Sequence, residues 1–246
     1  MLIVGNWKAY VETVEKAKKL FASAKTLASK GETEIVVAPP APYLGVISGG
    51  KNKVALAAQD VSITTGGAQT GEVTVALLAE LGVTYAIVGH SERRARGETD
   101  AMVAEKVRHA LAHGITPILC IGEKERDPDA QYLKRIREEI TSVFVALSQK
   151  ERMQIVIAYE PIWAIGKSVL EAITPAELAE MVLYIRKVLG EFLPGRGNLK
   201  SRVLYGGSVE PANARQLAAG SGIDGFLVGR ASTDAATFAA LVKAVS

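Results

Sequence analysis

Ile155-Val156-Ile157-Ala158-Tyr159-Glu160-Pro161-Ile162-Trp163 is the stretch that decides the fold. Its first residues form an apolar run with no polar alternation. A carboxylate and a proline then end it abruptly. A strand with one wet face alternates apolar and polar residues, whereas a strand covered on both faces of a parallel sheet stays apolar throughout. Similar short runs, rich in Val and Ile, recur at residues 2–4, 34–38, 54–58, 85–88, 116–121, 202–205 and 225–228.

Helical patterns lie between these runs. Residues 11–29 place Val14, Ala17, Leu20, Phe21, Ala24 and Leu27 at three- and four-residue spacing, with lysines on the other face. Residues 99–113, 129–148 and 175–189 follow the same pattern. Thr174-Pro175-Ala176-Glu177 is a capping-box start with proline at the first helical position. Residues 40–48 and 210–219 predict shorter helices. The alternation amounts to about eight strand–helix units of about 31 residues, close to one βαβ repeat each. No low-complexity linker divides them, so one domain is expected over residues 1–246. Such a chain could form an open doubly wound sheet or a closed barrel. An open sheet gathers its chemistry at one switch point. Here chemically suggestive residues follow most of the strands, as they do at the carboxyl-terminal face of a barrel. The expected fold is therefore a closed eight-stranded parallel (β/α)8 barrel.

Composition narrows the function classes. The 246 residues are 48% hydrophobic and 22% charged, ordinary for a globular protein. No apolar stretch is long enough for a signal peptide or a spanning helix, so no membrane association is expected. A net charge of +3 leaves no electrostatic footprint for nucleic acid. The single cysteine, Cys120, excludes an intrachain disulfide and a multi-cysteine zinc site, which fits a reducing, cytoplasmic location. Cys120 lies in an apolar run and reads as a packing residue. His109 and His113 have a spacing that can bind metal, but without a His-Glu-x-x-His pattern they read as helix surface or packing residues. Gly166-Lys167-Ser168 looks like the end of a nucleotide P-loop, yet Pro161 stands where that motif needs glycine.

The strand ends carry the chemistry: Asn6-Trp7-Lys8, Gly89-His90-Ser91-Glu92-Arg93-Arg94, Cys120-Ile121-Gly122-Glu123, Tyr159-Glu160-Pro161-Ile162-Trp163-Ala164-Ile165-Gly166, Tyr205-Gly206-Gly207-Ser208 and Val228-Gly229-Arg230. In order and spacing this set closely resembles the triosephosphate isomerase family, over nearly the whole chain. The resemblance implies a TIM barrel that interconverts dihydroxyacetone phosphate and D-glyceraldehyde 3-phosphate through an enediolate. It implies Glu160 as the base that moves the proton between neighbouring carbons, although a lone glutamate after a strand is more often a cap or ion-pair partner. It implies His90 as a neutral electrophile, which in that family is held neutral by a helix N-terminus. Lys8 would stabilise negative charge, Asn6 would orient beside it, and Glu92 would pair near Lys8 and His90. Phosphate would be held by backbone N–H groups around Gly166, Ser208, Gly229 and Arg230, with Gly206-Gly207 turning the chain tightly. One carboxylate and one oxyanion donor suffice, so no metal or organic cofactor is implied.

Some segments depart from the family pattern. The lid after the sixth strand usually reads Gly-Thr-Gly-Lys, but here Gly166 leads directly to Lys167-Ser168-Val169-Leu170. Arg230 follows Gly229 where a second glycine is usual; a side chain is tolerated there if φ stays negative. The stretches after Arg94 and after Glu123 are shortened. The segment from Gln59 to Glu72 is not truncated. In the family it enters a pocket on a second subunit and supports Asn6, Lys8 and His90 there, which implies a homodimer. The rival readings are an isomerase of larger sugar phosphates and a non-catalytic scaffold. The scaffold would have lost one of Asn6, Lys8, His90 or Glu160, and all are present.

Overall fold

The apolar runs become strands because each is covered twice, by side chains inside a barrel and by helices outside it. The computed structural model describes the chain apart from residues 49–52, 167–171 and 196. The described strands are β1 (Leu2–Asn6), β2 (Glu34–Ala38), β3 (Val54–Ala58), β4 (Tyr85–Val88), β5 (Thr116–Ile121), β6 (Val156–Tyr159), β7 (Val203–Tyr205) and β8 (Gly225–Val228). They pair in parallel in chain order, and β8 returns to β1 with Phe226 opposite Ile3. The closed barrel is therefore observed, and the open sheet is excluded.

Among the described residues the α-helices are α1 (Val14–Lys30), α2 (Ala41–Ile47), α3 (Val75–Glu80), α4 (Ser91–Arg94), α5 (Asp100–Ala112), α6 (Gln131–Phe144), α7 (Gln149–Arg152), α8 (Pro175–Phe192), α9 (Gly197–Lys200), α10 (Pro211–Ser221) and α11 (Ala235–Val245). Thr174 and Glu177 form the expected capping box at α8. The helix expected over residues 129–148 ends sooner, as α6 at Phe144, and a separate short helix, α7, begins just beyond the expected end. Ser148 does not sit inside the first but caps the second, accepting from the Glu151 N–H while Glu151 accepts from the Ser148 N–H. A serine that can satisfy a free helix-start donor is worth more there than in a helix interior. Sequence periodicity did not single out α3 and α11. The first is barely two turns long. The second is rich in alanine, which blurs an apolar stripe.

Alternation along each strand divides the core. Leu2, Val4, Ile87, Ile118, Cys120, Ala158 and Leu204 belong to one buried cluster, and Ile3, Val88, Leu119, Ile157 and Val203 belong to a larger one shared with the helices. Successive residues thus point to the barrel interior and to the helix layer in turn. Cys120 is fully buried, and burial pushes its thiol pKa well up, consistent with packing. His109 Nε2 lies 3.0 Å from Glu105 one turn earlier, and His113 contacts the His109 carbonyl.

The amino-terminal end of the barrel is closed by a polar clasp. Tyr85 Oη donates to Glu34 Oε1 at 2.7 Å, and Arg202 donates to Glu34 Oε2. Burial pushes the Glu34 carboxyl up, but these hydrogen bonds and the Arg202 charge more than reverse that, leaving its pKa below the ordinary value. A depressed carboxylate stabilises the fold above its unfolded pKa, and that contribution is lost as pH falls through the folded value. Tyr85→Phe should cost about 1 kcal/mol near neutral pH, because the clasp is half exposed. The gap from wild type should narrow as pH falls below the unfolded carboxylate pKa of about 4.3 and on through the lower folded value, where Glu34 protonates in both states. Urea denaturation at pH 7 and pH 3 checks this; an equal gap at both values contradicts it.

Candidate active site

Alternation explains how three strand ends aim into the barrel mouth. Val4 and Ala158 face inward, so Asn6 and Glu160 fall on the same side, and both are buried. Leu204 faces inward, which brings Gly206 to the same mouth. His90 breaks the rule. Ile87 faces inward, so unbroken alternation would send His90 outward. Gly89 has φ +75°, outside the strand region, and this reversal turns His90 back toward the interior.

Lys8 is held by opposing contacts. Its φ is +46°, a left-handed conformation that costs a non-glycine residue about 1–2 kcal/mol. The Asn6 side chain accepts from the Lys8 N–H at 3.1 Å, and Gln59 Nε2 donates to the Lys8 carbonyl and to the Ala38 carbonyl, both at 2.9 Å. The Lys8 ammonium then reaches Glu92 Oε1 at 2.7 Å. Burial pushes the Glu92 carboxyl up, but the hydrogen bond and charge of Lys8, with His90 nearby, hold its pKa below the usual carboxylate value.

His90 caps the short helix α4. Its Nδ1 accepts from the Glu92 N–H at 3.2 Å. A nitrogen that accepts carries no proton, so the hydrogen of a neutral imidazole lies on Nε2. Nε2 sits 3.1 Å from Glu160 Oε1 but is not aligned with it as a hydrogen bond, and Oε1 has no hydrogen-bond partner. The other oxygen, Oε2, accepts from the Ser91 N–H at 3.0 Å. Glu160 is thus tethered through one oxygen and bare at the other.

Asn6, Lys8, His90, Glu92 and Glu160 line one cleft of about 200 Å³ with Gly166, Ser208, Gly229 and Arg230. Every site residue expected from sequence is in this cleft. The chain bends at Gly207, but neither Gly206 nor Gly207 needs glycine for a left-handed backbone, since neither has positive φ. They are glycines because of close approach. A Cβ on Gly206 would lie 3.0 Å from Glu160 Cγ, and one on Gly207 would lie 2.3 Å from Tyr205 Oη. Gly166 does need its freedom, with φ +75°. Arg230 has an exposed side chain and no positive φ. The expected lid residues beyond Gly166 fall on 167–171, outside the described residues.

The triosephosphate isomerase family model matches residues 1–245. Triosephosphate isomerases of Thermus thermophilus and Roseiflexus castenholzii are 41% and 39% identical to the chain, covering 99% and 100% of it and 98% and 97% of their own lengths. That of Clostridium acetobutylicum is 40% identical, with 98% of each chain covered. The chain belongs to the triosephosphate isomerase family.

Two features of this isomerase escaped the sequence reading. Gln59, in the sequence only the start of a long segment, clamps the Lys8 backbone; its position just after a strand is the available signal. Glu123 also follows a strand. Its buried carboxylate accepts from Tyr159 Oη at 2.8 Å and Trp163 Nε1 at 2.9 Å, and its carbonyl accepts from the Ile162 N–H at 2.9 Å. Arg126 covers this group, with its guanidinium 5.2 Å from the Trp163 ring centre. The short turn after Glu160 is therefore fastened to the end of β5. Among the described residues, no three His, Cys, Asp or Glu side chains are grouped to hold a metal ion, and no helix is long and apolar enough to cross a membrane.

Proposed function

We propose that Glu160 is the base with which this isomerase interconverts dihydroxyacetone phosphate and D-glyceraldehyde 3-phosphate. The observation that carries the reading is the bare Glu160 Oε1 beside His90 Nε2 at 3.1 Å in a cleft of about 200 Å³. The carbon acid loses its proton to Glu160, and an enediolate forms. The same carboxylate returns the proton to the neighbouring carbon, so no second base is needed. Leaving the Ser91 N–H frees the second oxygen for this movement. His90 Nε2–H donates to the enediolate oxygens as charge develops on them. Lys8 adds a cation at the same place, oriented by Asn6 and Glu92. Gly166, Ser208, Gly229 and Arg230 hold the phosphate mainly through backbone N–H groups, and the segment after Gly166 serves as the lid of this family, excluding water from the enediolate. This chemistry needs no cofactor.

The cleft lies below the roughly 300–1,000 Å³ of sites for drug-sized ligands. This favours a triose over a larger sugar phosphate. A coupled assay with glyceraldehyde 3-phosphate and with a pentose phosphate tests it. Turnover of the triose alone is expected; turnover of the pentose alone overturns the reading.

The same reading places one barrel domain over residues 1–246 in the cytoplasm and makes the protein a homodimer. Ile63, Val73 and Leu77 expose apolar side chains within and just after the segment from Gln59 to Glu72, as an uncovered subunit face would. Sedimentation equilibrium should give twice the chain mass at assay concentrations. A fully active monomer contradicts this.

A further inference from the structure

His90 and Glu160 leave different strands, β4 and β6, with the end of β5 between them. Their mutual distance therefore depends on how those strand ends are fixed. Glu160 donates its N–H to the Ile121 carbonyl at 2.8 Å. The next residue, Gly122, passes so close that a Cβ there would lie 1.8 Å from the Glu160 carbonyl oxygen. On the β4 side, Gly89 is the residue whose reversal aims His90. Each of these glycines is held by a charged side chain. Glu139 Oε2 accepts from the Gly122 N–H at 2.8 Å, and Arg94 Nε donates to the Gly89 carbonyl at 2.7 Å.

Arg94 and Glu139 face each other, with Nε 3.6 Å from Oε1. Arg135 and Asp100 close the group into a ring. Arg135 reaches Asp100 Oδ2 and Glu139 Oε1, each at 2.8 Å, and Asp100 also pairs with Arg94. The Glu139 side chain is 2% exposed and that of Arg94 is 12% exposed. Burying charges is weak evidence for stability, since an apolar core of the same volume often does as well. Arg94 Nη2 is moreover buried with no hydrogen-bond partner, a cost that a purely stabilising ring would shed. What the ring does that an apolar core could not is grip two backbone groups, a carbonyl beside His90 and an N–H beside Glu160.

We infer that Arg94 and Glu139 are positioning residues for the isomerisation, fixing His90 against Glu160 through Gly89 and Gly122. This rests on His90 and Glu160 being the reacting pair. A small error in their placement slows proton transfer and oxyanion stabilisation while leaving the phosphate contacts alone, so the effect falls on kcat rather than KM.

The experiment compares Arg94→Lys, Glu139→Gln and the surface control Arg137→Gln with wild type, and includes Glu160→Asp. Arg137 pairs with Glu191 on the exterior and touches nothing in the ring. Steady-state kinetics, thermal unfolding and the imidazole 15N shifts of His90, one of only three histidines, are read together. Arg94→Lys and Glu139→Gln are expected to lower kcat about tenfold to a hundredfold with KM within about threefold, and to move the His90 resonances. Arg137→Gln should change none of these. Folded variants with wild-type kcat overturn the inference. So do variants whose losses follow thermal stability while the His90 resonances stay in place. If Glu139→Gln does not fold, Arg94→Lys, which keeps the ring's charge, decides alone. A crippled Glu160→Asp beside fully active ring variants removes only the positioning role. A fully active Glu160→Asp removes the catalytic pair and the inference with it.

Discussion

Glu160→Gln should lower kcat by about a thousandfold or more while KM moves within about threefold. The amide has the shape of the carboxylate, and its oxygen can still accept from the Ser91 N–H, so the fold and the cleft survive. Only basicity is lost. Positioned general bases contribute about a hundredfold to ten-thousandfold, and here one group acts as base and then as acid in each turnover, so the upper part of that range applies. A coupled assay at saturating substrate checks this. A variant within tenfold of wild type would leave another group to take the proton. The candidate nearest at hand is Glu92, but its oxygens are committed to Lys8 and the neighbourhood of His90.

Lys8→Met should lower kcat/KM by about a hundredfold to a thousandfold, the range for removing one preorganised donor from a developing oxyanion. Methionine keeps the apolar stem and meets the same left-handed backbone cost, so the comparison isolates the ammonium. Both parameters should worsen. KM rises because the phosphate-bearing substrate loses a cation, and kcat falls because charge develops in the transition state. A rise in KM with kcat unchanged would restrict Lys8 to binding. The variant also frees Glu92. Its carboxyl should lose the hydrogen bond and charge that hold its pKa down, and the value should climb as burial then dominates. A 13C titration of the carboxylate follows that change.

Much of the barrel and the membership of its mouth are legible in the sequence alone, and the reason is physical. A strand such as 116–121 is apolar throughout because both of its faces are covered. Residues such as Asn6 and Glu160 are polar because they continue the inward side of a strand just beyond the core. What the sequence could not show was how backbone geometry is spent. His90 reaches the cleft only because Gly89 reverses the chain. Gly206 and Gly207 read as turn residues but are glycines for want of space beside Glu160 and Tyr205. Gln59 and Glu123 are chemically unremarkable as letters; their roles follow from which carbonyl or indole lies within about 3 Å, a distance across the fold that local spacing does not encode. Ser148 shows the limit of periodicity, since a cap and a helix interior can share one apolar pattern.

The most direct test follows the proton itself. Wild-type protein incubated with dihydroxyacetone phosphate in deuterium oxide should place deuterium on the reacting carbons, at a rate visible by proton NMR. Glu160→Gln, folded and at the same concentration, should incorporate none beyond the uncatalysed background. Deuterium incorporation by Glu160→Gln at the wild-type rate would show that a different group removes the proton, and would contradict Glu160 as the base.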